Sequence, residues 1–148
     1  MKTTKSVLIL VLIFLIKPGL FSQVSDSPNN FADNNVKSDT LLVLWSSGDP
    51  EVAEKVCFMY TYNAKKRGWF KEVIFVVWGP SAKLLAENKD LQESVKKMGE
   101  EGIILEACVA CARMYGVDDD LKDLGIDVKG MGTVLTGYLK KGYPNITF

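Results

Sequence analysis

Leu105-Glu106-Ala107-Cys108-Val109-Ala110-Cys111-Ala112-Arg113-Met114-Tyr115-Gly116-Val117 is the stretch whose reading decides the fold. It lies where an apolar run passes into a helical pattern. Gly102-Ile103-Ile104-Leu105 reads as a short buried strand leading into it. Ala110, Ala112, Arg113 and Met114 favour helix, and Gly116 offers a stop. Cys108 is therefore expected at the carboxyl end of a strand, near the start of a helix. In open parallel α/β sheets that edge is where ligands bind. Cys111 follows about one helical turn later, on roughly the same helical face.

Working back toward the N-terminus, two similar units precede this one. Leu41-Leu42-Val43-Leu44-Trp45 is a continuous apolar run, as expected of a strand buried on both faces. After Ser46-Ser47-Gly48, Asp49 can N-cap a helix and Pro50 suits its first turn. That helix should run to about Arg67 with Ala53, Val56, Cys57, Tyr60 and Ala64 on its buried stripe, and Gly68 ends it. Glu72 to Trp78 is a second buried strand, closed by Gly79-Pro80. Ser81 can cap the next helix, with Leu84, Leu85 and Leu91 facing inward; Asn88-Lys89-Asp90 interrupts it before a second helical piece from Leu91 to about Glu101.

Working forward, Asp118 to Gly125 is a short acidic helix or turn with a solvated face, and Asp127 to Met131 is a weaker strand. Thr133 to Lys141 reads as a helix ending at Gly142, and Asn145-Ile146-Thr147-Phe148 as a last short strand. The order βαβαβαβαβ predicts an α/β domain with a mostly parallel five-stranded sheet and helices on both faces.

The first residues are read as lying outside this domain. Lys2 and Lys5 form a positive start, Val7 to Ile16 is an apolar run, and Lys17-Pro18-Gly19 breaks it. This is the pattern of a signal peptide, expected to end at Ser22. The run is too short to span a bilayer, which needs about 20 apolar residues. Removing 22 of the 148 residues leaves 126, and the lysines lost leave 15 basic against 18 acidic residues, a net charge of −3. That balance argues against nucleic-acid binding, which usually shows a basic stripe. Residues 23–39 are rich in Ser, Asn and Asp and read as a flexible linker, so the domain spans residues 40–148. Once the leader is cleaved, no membrane association is expected, and the mature chain should be exported, periplasmic or secreted.

What is missing narrows the chemistry. The chain has no histidine. This removes Ser-His-Asp and Cys-His catalysis and the commonest metal ligand. Three cysteines alone cannot complete a four-ligand zinc site. No G-x-G-x-x-G or P-loop motif is present, so neither a cofactor nor a metal is expected. Cysteine is left as the strong nucleophile placed where chemistry would occur. Cys57, on an apolar helical stripe, reads as a core residue. Cys108 and Cys111 form a C-x-x-C pair at the ligand-facing edge, where two small core residues are the competing reading. A free thiol with pKa near 8.5 is only about 3% ionised at neutral pH, and a helix N-terminus adds roughly 0.3–1 kcal/mol. Arg113 is rotated away from Cys108, whereas Glu106 would oppose ionisation if it were close.

The run Cys108-Val109-Ala110-Cys111-Ala112-Arg113-Met114-Tyr115-Gly116-Val117 resembles the cysteine loop of the DsrE/DsrF-like family, which includes the small sulfur carriers of the Tus relay and of dissimilatory sulfur oxidation. In that family a Cys follows the third strand and a Gly stands eight residues later, the spacing of Cys108 and Gly116. Some members carry a second Cys where Cys111 stands. The resemblance runs from about Thr40 to Phe148 and includes the ending Gly132-Thr133-Val134-Leu135 through Ile146-Thr147-Phe148. It implies a three-layer α/β/α fold of the flavodoxin/Rossmann-like kind, assembly into homo-oligomers (trimers or hexamers), and a Cys that carries sulfur as a persulfide. Carried over residue by residue, Cys108 matches the sulfur-accepting Cys, and Cys111 matches only the two-Cys members. The leader sets this chain apart from the cytoplasmic relay proteins, so an exported member would need other partners.

Three functions follow as expectations. The first is an exported sulfur carrier or sulfurtransferase acting through Cys108, with sulfur donor and acceptor proteins or small thiols as partners. Cys111 would resolve the persulfide. The second is a thiol-disulfide oxidoreductase using the same pair. The third is a non-enzymatic binding or assembly domain whose pocket is formed by Ser46, Ser47, Gly48, Trp78, Gly79, Gly130, Met131 and Gly132.

Overall fold

The computed structural model describes residues 38–148, so the expected signal peptide and residues 23–37 of the expected linker lie outside the described residues. Asp39, at the end of that linker, is part of the fold: its carboxylate accepts from the Lys71 backbone N–H at 3.2 Å and its carbonyl from that of Glu72 at 3.1 Å.

Five strands form one sheet: β1 (Thr40–Trp45), β2 (Glu72–Val77), β3 (Ile104–Cys108), β4 (Asp127–Lys129) and β5 (Asn145–Thr147). Their spatial order is β4-β3-β2-β1-β5, and every pairing is parallel. The apolar runs of β1 and β2 occupy the middle of the sheet because neither face of a central parallel strand meets water. Val43, Trp45, Val73, Phe75, Val76 and Val77 are fully buried.

The helices divide unequally between the faces. After β1 come α1 (Pro50–Val52), a π-helical turn (Ala53–Phe58) and α2 (Met59–Lys66). After β2 come α3 (Pro80–Glu87) and α4 (Lys89–Glu100), and after β3 come α5 (Val109–Tyr115) and α6 (Asp118–Asp123). Through these the chain steps outward from β1 to β4, always in one direction. Helix α7 (Met131–Lys140) then turns back and places β5 on the far side of β1. Right-handed crossovers put the outward-stepping helices on one face and the returning helix on the other. Two separate apolar clusters reflect this. The larger joins Leu41, Val43, Trp45, Phe75, Val77 and Ala107 to the π-helical turn and helices α2 to α6, and the smaller joins Leu42, Ile74, Val76, Cys108, Cys111 and Met131 to α7. In the larger cluster Phe58 meets Trp45 and Phe75 edge-on, with centroids 4.9 and 5.6 Å apart.

Adjacent strands β3 and β4 leave the sheet in opposite directions, β3 into α5 on the first face and β4 into α7 on the second. Such a parting opens a crevice at the carboxyl ends of the two strands. Cys108 ends β3, and Gly130 follows β4 at the N-cap of α7.

Two helical details differ from the sequence reading. Val56 is exposed, not on the buried stripe, which consists of Ala53, Cys57, Phe58, Thr61 and Ala64. The cause is the π-helical turn: its wider i→i+5 spacing shifts the phase of the stripe and brings Phe58 inward. Ser81 does not cap α3. Gly79, at φ 67°, holds the N-cap position and Pro80 the first turn, while the buried Ser81 hydroxyl donates to the Trp45 carbonyl at 2.6 Å and accepts from the Trp78 N–H at 3.0 Å. One hydroxyl thus ties the ends of β1 and β2 together.

Candidate functional site

The site begins with the last two residues of β3 that face α7. Along β3, side chains alternate: Leu105 and Ala107 pack into the larger cluster, whereas Cys108 packs into the smaller one. Glu106 shares the face of Cys108. Cys108 keeps extended backbone (φ −75°, ψ 111°) as the N-cap of α5, so its thiol sits where strand becomes helix. Gly116, left-handed at φ 70°, ends α5.

Cys111 lies on the first turn of α5 and turns back to the same cluster as Cys108. Each cysteine is 6% exposed, and both are free thiols. The Cys111 thiol lies against that of Cys108 and faces the Gly79 backbone. Burial, and then the neighbouring Cys108, push its pKa above the ordinary thiol value. Arg113 points away, 70% exposed and 3.9 Å from Asp118, as its helical position implied.

Cys57 is a contrast. It is fully buried in the π-helical turn, and burial pushes its pKa from 9.0 up to about 12. Its own carbonyl accepts from the Thr61 hydroxyl at 2.7 Å. It belongs to the opposite core, away from the two site cysteines.

The expected pocket residues separate into three groups. Trp78 and Met131 pack into the cluster that holds Cys108 and Cys111; Met131 is fully buried. Gly79 joins them through its backbone, and Gly130 and Gly132 flank Met131 at the start of α7. Ser46 and Ser47 serve another purpose: both backbone N–H groups and the Ser46 hydroxyl converge on the Phe148 carbonyl at 2.8, 3.1 and 3.0 Å. Gly48 lines a separate cleft of about 300 Å³ with Pro80, Lys83, Leu84, Glu87 and Tyr115. Trp45 is core, and its indole nitrogen has no protein partner among the described residues.

A buried polar cluster beside Cys108 was not anticipated. Glu106 is 3% exposed, and its Oε1 accepts from Lys129 Nζ at 2.7 Å and from the Tyr138 hydroxyl at 2.9 Å. Lys129 also pairs with Asp127 at 2.7 Å. These partners, Asp127 first, hold the Lys129 ammonium well above its usual pKa. Burial, then the Glu106 carboxylate, pushes Tyr138 up to about 12. Glu106 Oε2 is buried without a protein partner among the described residues. The sequence did carry a signal for this cluster: Ile104, Glu106 and Cys108 alternate on one face of a buried strand, and a carboxylate there demands a cation or hydroxyl.

Among the described residues, no group of three or more His, Cys, Asp or Glu is placed to hold a metal, and no helix is long and apolar enough to cross a membrane.

Comparison with known proteins agrees with this architecture. The model of the DsrE/DsrF-like family matches residues 40–148. A conserved protein of unknown function from Bacteroides thetaiotaomicron is similar in structure, with a TM-score of 0.72 and 36% identity, covering 74% of this chain and 95% of its own. The ychN protein from E. coli shares the fold, with a TM-score of 0.58 at 10% identity, covering 75% of this chain and 99% of its own. No curated protein matches the chain.

Proposed function

Since the chain belongs to the DsrE/DsrF-like family, we propose that it is a sulfur carrier in which Cys108 takes up sulfane sulfur as a persulfide and passes it on. The observation that carries this reading is the placement of Cys108: it ends β3 where the connections of β3 and β4 part to opposite faces, with Cys111 in the same cluster. In the loading step the Cys108 thiolate attacks the outer sulfur of a donor persulfide. A new S–S bond forms to Cys108, the donor's S–S bond breaks, and the donor leaves as a thiolate that takes a proton from water. Unloading repeats the exchange toward an acceptor thiolate.

The adjacent Cys111 supplies a second exit. Its thiol attacks the inner sulfur of the Cys108 persulfide, leaving a Cys108–Cys111 disulfide and releasing hydrogen sulfide. The contact between the two thiols also favours a second reading, a thiol-disulfide pair that cycles without sulfane sulfur.

The partners in this account are donor and acceptor proteins or small thiols in an exported setting, periplasmic or extracellular, with the chain in trimers or hexamers. Ile104 on the α7 face of β3 and Leu139 on α7 are 44% and 49% exposed, which suits burial against another copy.

The test is to load the protein with a small persulfide donor, remove the excess, and treat it with cyanide, which takes off sulfane sulfur as thiocyanate. Wild type is expected to release about one thiocyanate per chain and Cys108→Ser none. Equal release from both, or none from either, would exclude the carrier function.

A further inference from the structure

Four charged or ionisable groups crowd the face of the sheet that Cys108 occupies, and the carrier reading gives none of them a role. Cys108 is register-paired with Lys129 on β4, and Glu106 with Asp127 one step earlier. Neighbouring strands are about 4.8 Å apart and register partners point to the same face, so Lys129 is the lateral neighbour of Cys108. Lys129 does not extend freely into solvent. Glu106 Oε1 holds its ammonium at 2.7 Å, and that carboxylate is itself 4% exposed, its second oxygen without a partner among the described residues.

We propose that Glu106 and Lys129 are positioning residues that set the charge at Cys108, Lys129 favouring the sulfur anion and Glu106 restraining it. This rests on the reading of Cys108 as the reactive thiol. The groups facing Cys108 are Glu106 on its own strand, Asp127 and Lys129 from β4, Cys111 from α5, and Tyr138 from α7 with Tyr143 stacked on it at 5.6 Å. From β2 come Val76 and the following Trp78, neither of which titrates. With the Tyr138 and Cys111 pKa values raised, one cation faces two carboxylates, a net negative balance. Of the two carboxylates only Glu106 is buried, since the Asp127 side chain is 62% exposed and screened by water. Such an arrangement opposes the build-up of negative charge on the Cys108 sulfur. A partner that drew Glu106 away from Lys129, or placed a cation against its second oxygen, would favour the sulfur anion. The covalent exchange itself is unchanged; what the cluster governs is the fraction of Cys108 present as the anion.

The sign of each charge gives a test that loss of packing would not imitate. A charge about 7 Å away, at an effective dielectric of about 20, moves a pKa by roughly one to two units. In a Cys111→Ser background, the ultraviolet absorbance of the Cys108 thiolate is followed against pH, with the Cys108→Ser/Cys111→Ser protein subtracted to remove Cys57 and the tyrosines. Glu106→Gln is expected to lower the Cys108 titration midpoint by roughly one to two pH units, and Lys129→Met to raise it by a similar amount. Asp127→Asn, on an exposed side chain, is expected to lower it less and carries the test if Glu106→Gln does not fold. Opposite shifts on removing anion and cation support the proposal. Shifts of the same sign, or no shift, overturn it. No sulfur donor is present, so this result is independent of whether Cys108 carries persulfide.

Discussion

The two faces of the sheet are built for different purposes, and each holds cysteine. On the first face six helical pieces close over Val43, Trp45 and Phe75, and Cys57 lies fully buried among them. On the second face a single helix, α7, covers Leu42, Ile74 and Val76, and there Cys108 and Cys111 share the surface with a buried carboxylate and a lysine. The same side chain is filler on one face and a candidate nucleophile on the other. What distinguishes the two positions is the end of a strand, the parting of two crossovers and the charge alongside, not the sulfur itself.

The largest effect that could break this contrast is on the first face. Phe75→Ala removes a ring packed between Trp45 and Phe58 and should cost about 3–5 kcal/mol, read as a lower denaturant midpoint. A cost under about 1 kcal/mol would mean that this face is not the main store of stability.

A smaller effect concerns the buried thiol there. The folded state keeps Cys57 protonated up to about pH 12, whereas an unfolded thiol ionises near 9.0. The folded pKa is raised, so this contribution is fully present below pH 9.0 and is lost as pH climbs toward 12. Over that window Cys57 should cost about 1.4 kcal/mol of stability per pH unit. Tyr138, also raised to about 12, adds to the loss above its ordinary value of 10.0. Cys57→Ala should flatten the alkaline fall of the denaturation midpoint between pH 9 and 10, before tyrosines contribute. An unchanged slope would show that Cys57 is not held protonated by its core.

Much of this was legible in the chain because it is local. The apolar runs at 41–45 and 72–78 state a sheet buried on both faces, and the change of pattern at Cys108 states a strand passing into a helix. The cysteines could be separated because Cys57 sits within an apolar helical stripe and Cys108 at a junction. The displacement of Val56 was not legible: a π-helical turn is set by packing around it, and no residue type marks it. Nor was the role of Ser81, whose capping chemistry fits its position while its real partner, Trp45, is 36 residues away. The alternation of β3 signalled that Glu106 needs partners, but which partners was hidden for a similar reason. The members of this cluster come from positions 106, 129 and 138, and they meet only because β4 pairs beside β3 and α7 folds back across the second face.

The division of labour among the three thiols is tested most directly by locating sulfane sulfur on the folded chain. After brief exposure to a limiting persulfide donor, the protein is alkylated, digested and mapped by mass. The account predicts that the gain of one sulfur atom falls on Cys108, that Cys57 stays unmodified, and that Cys111 appears either free or joined to Cys108. Sulfur found on Cys57 at a comparable level, or an adduct that persists in Cys108→Ser, would contradict it.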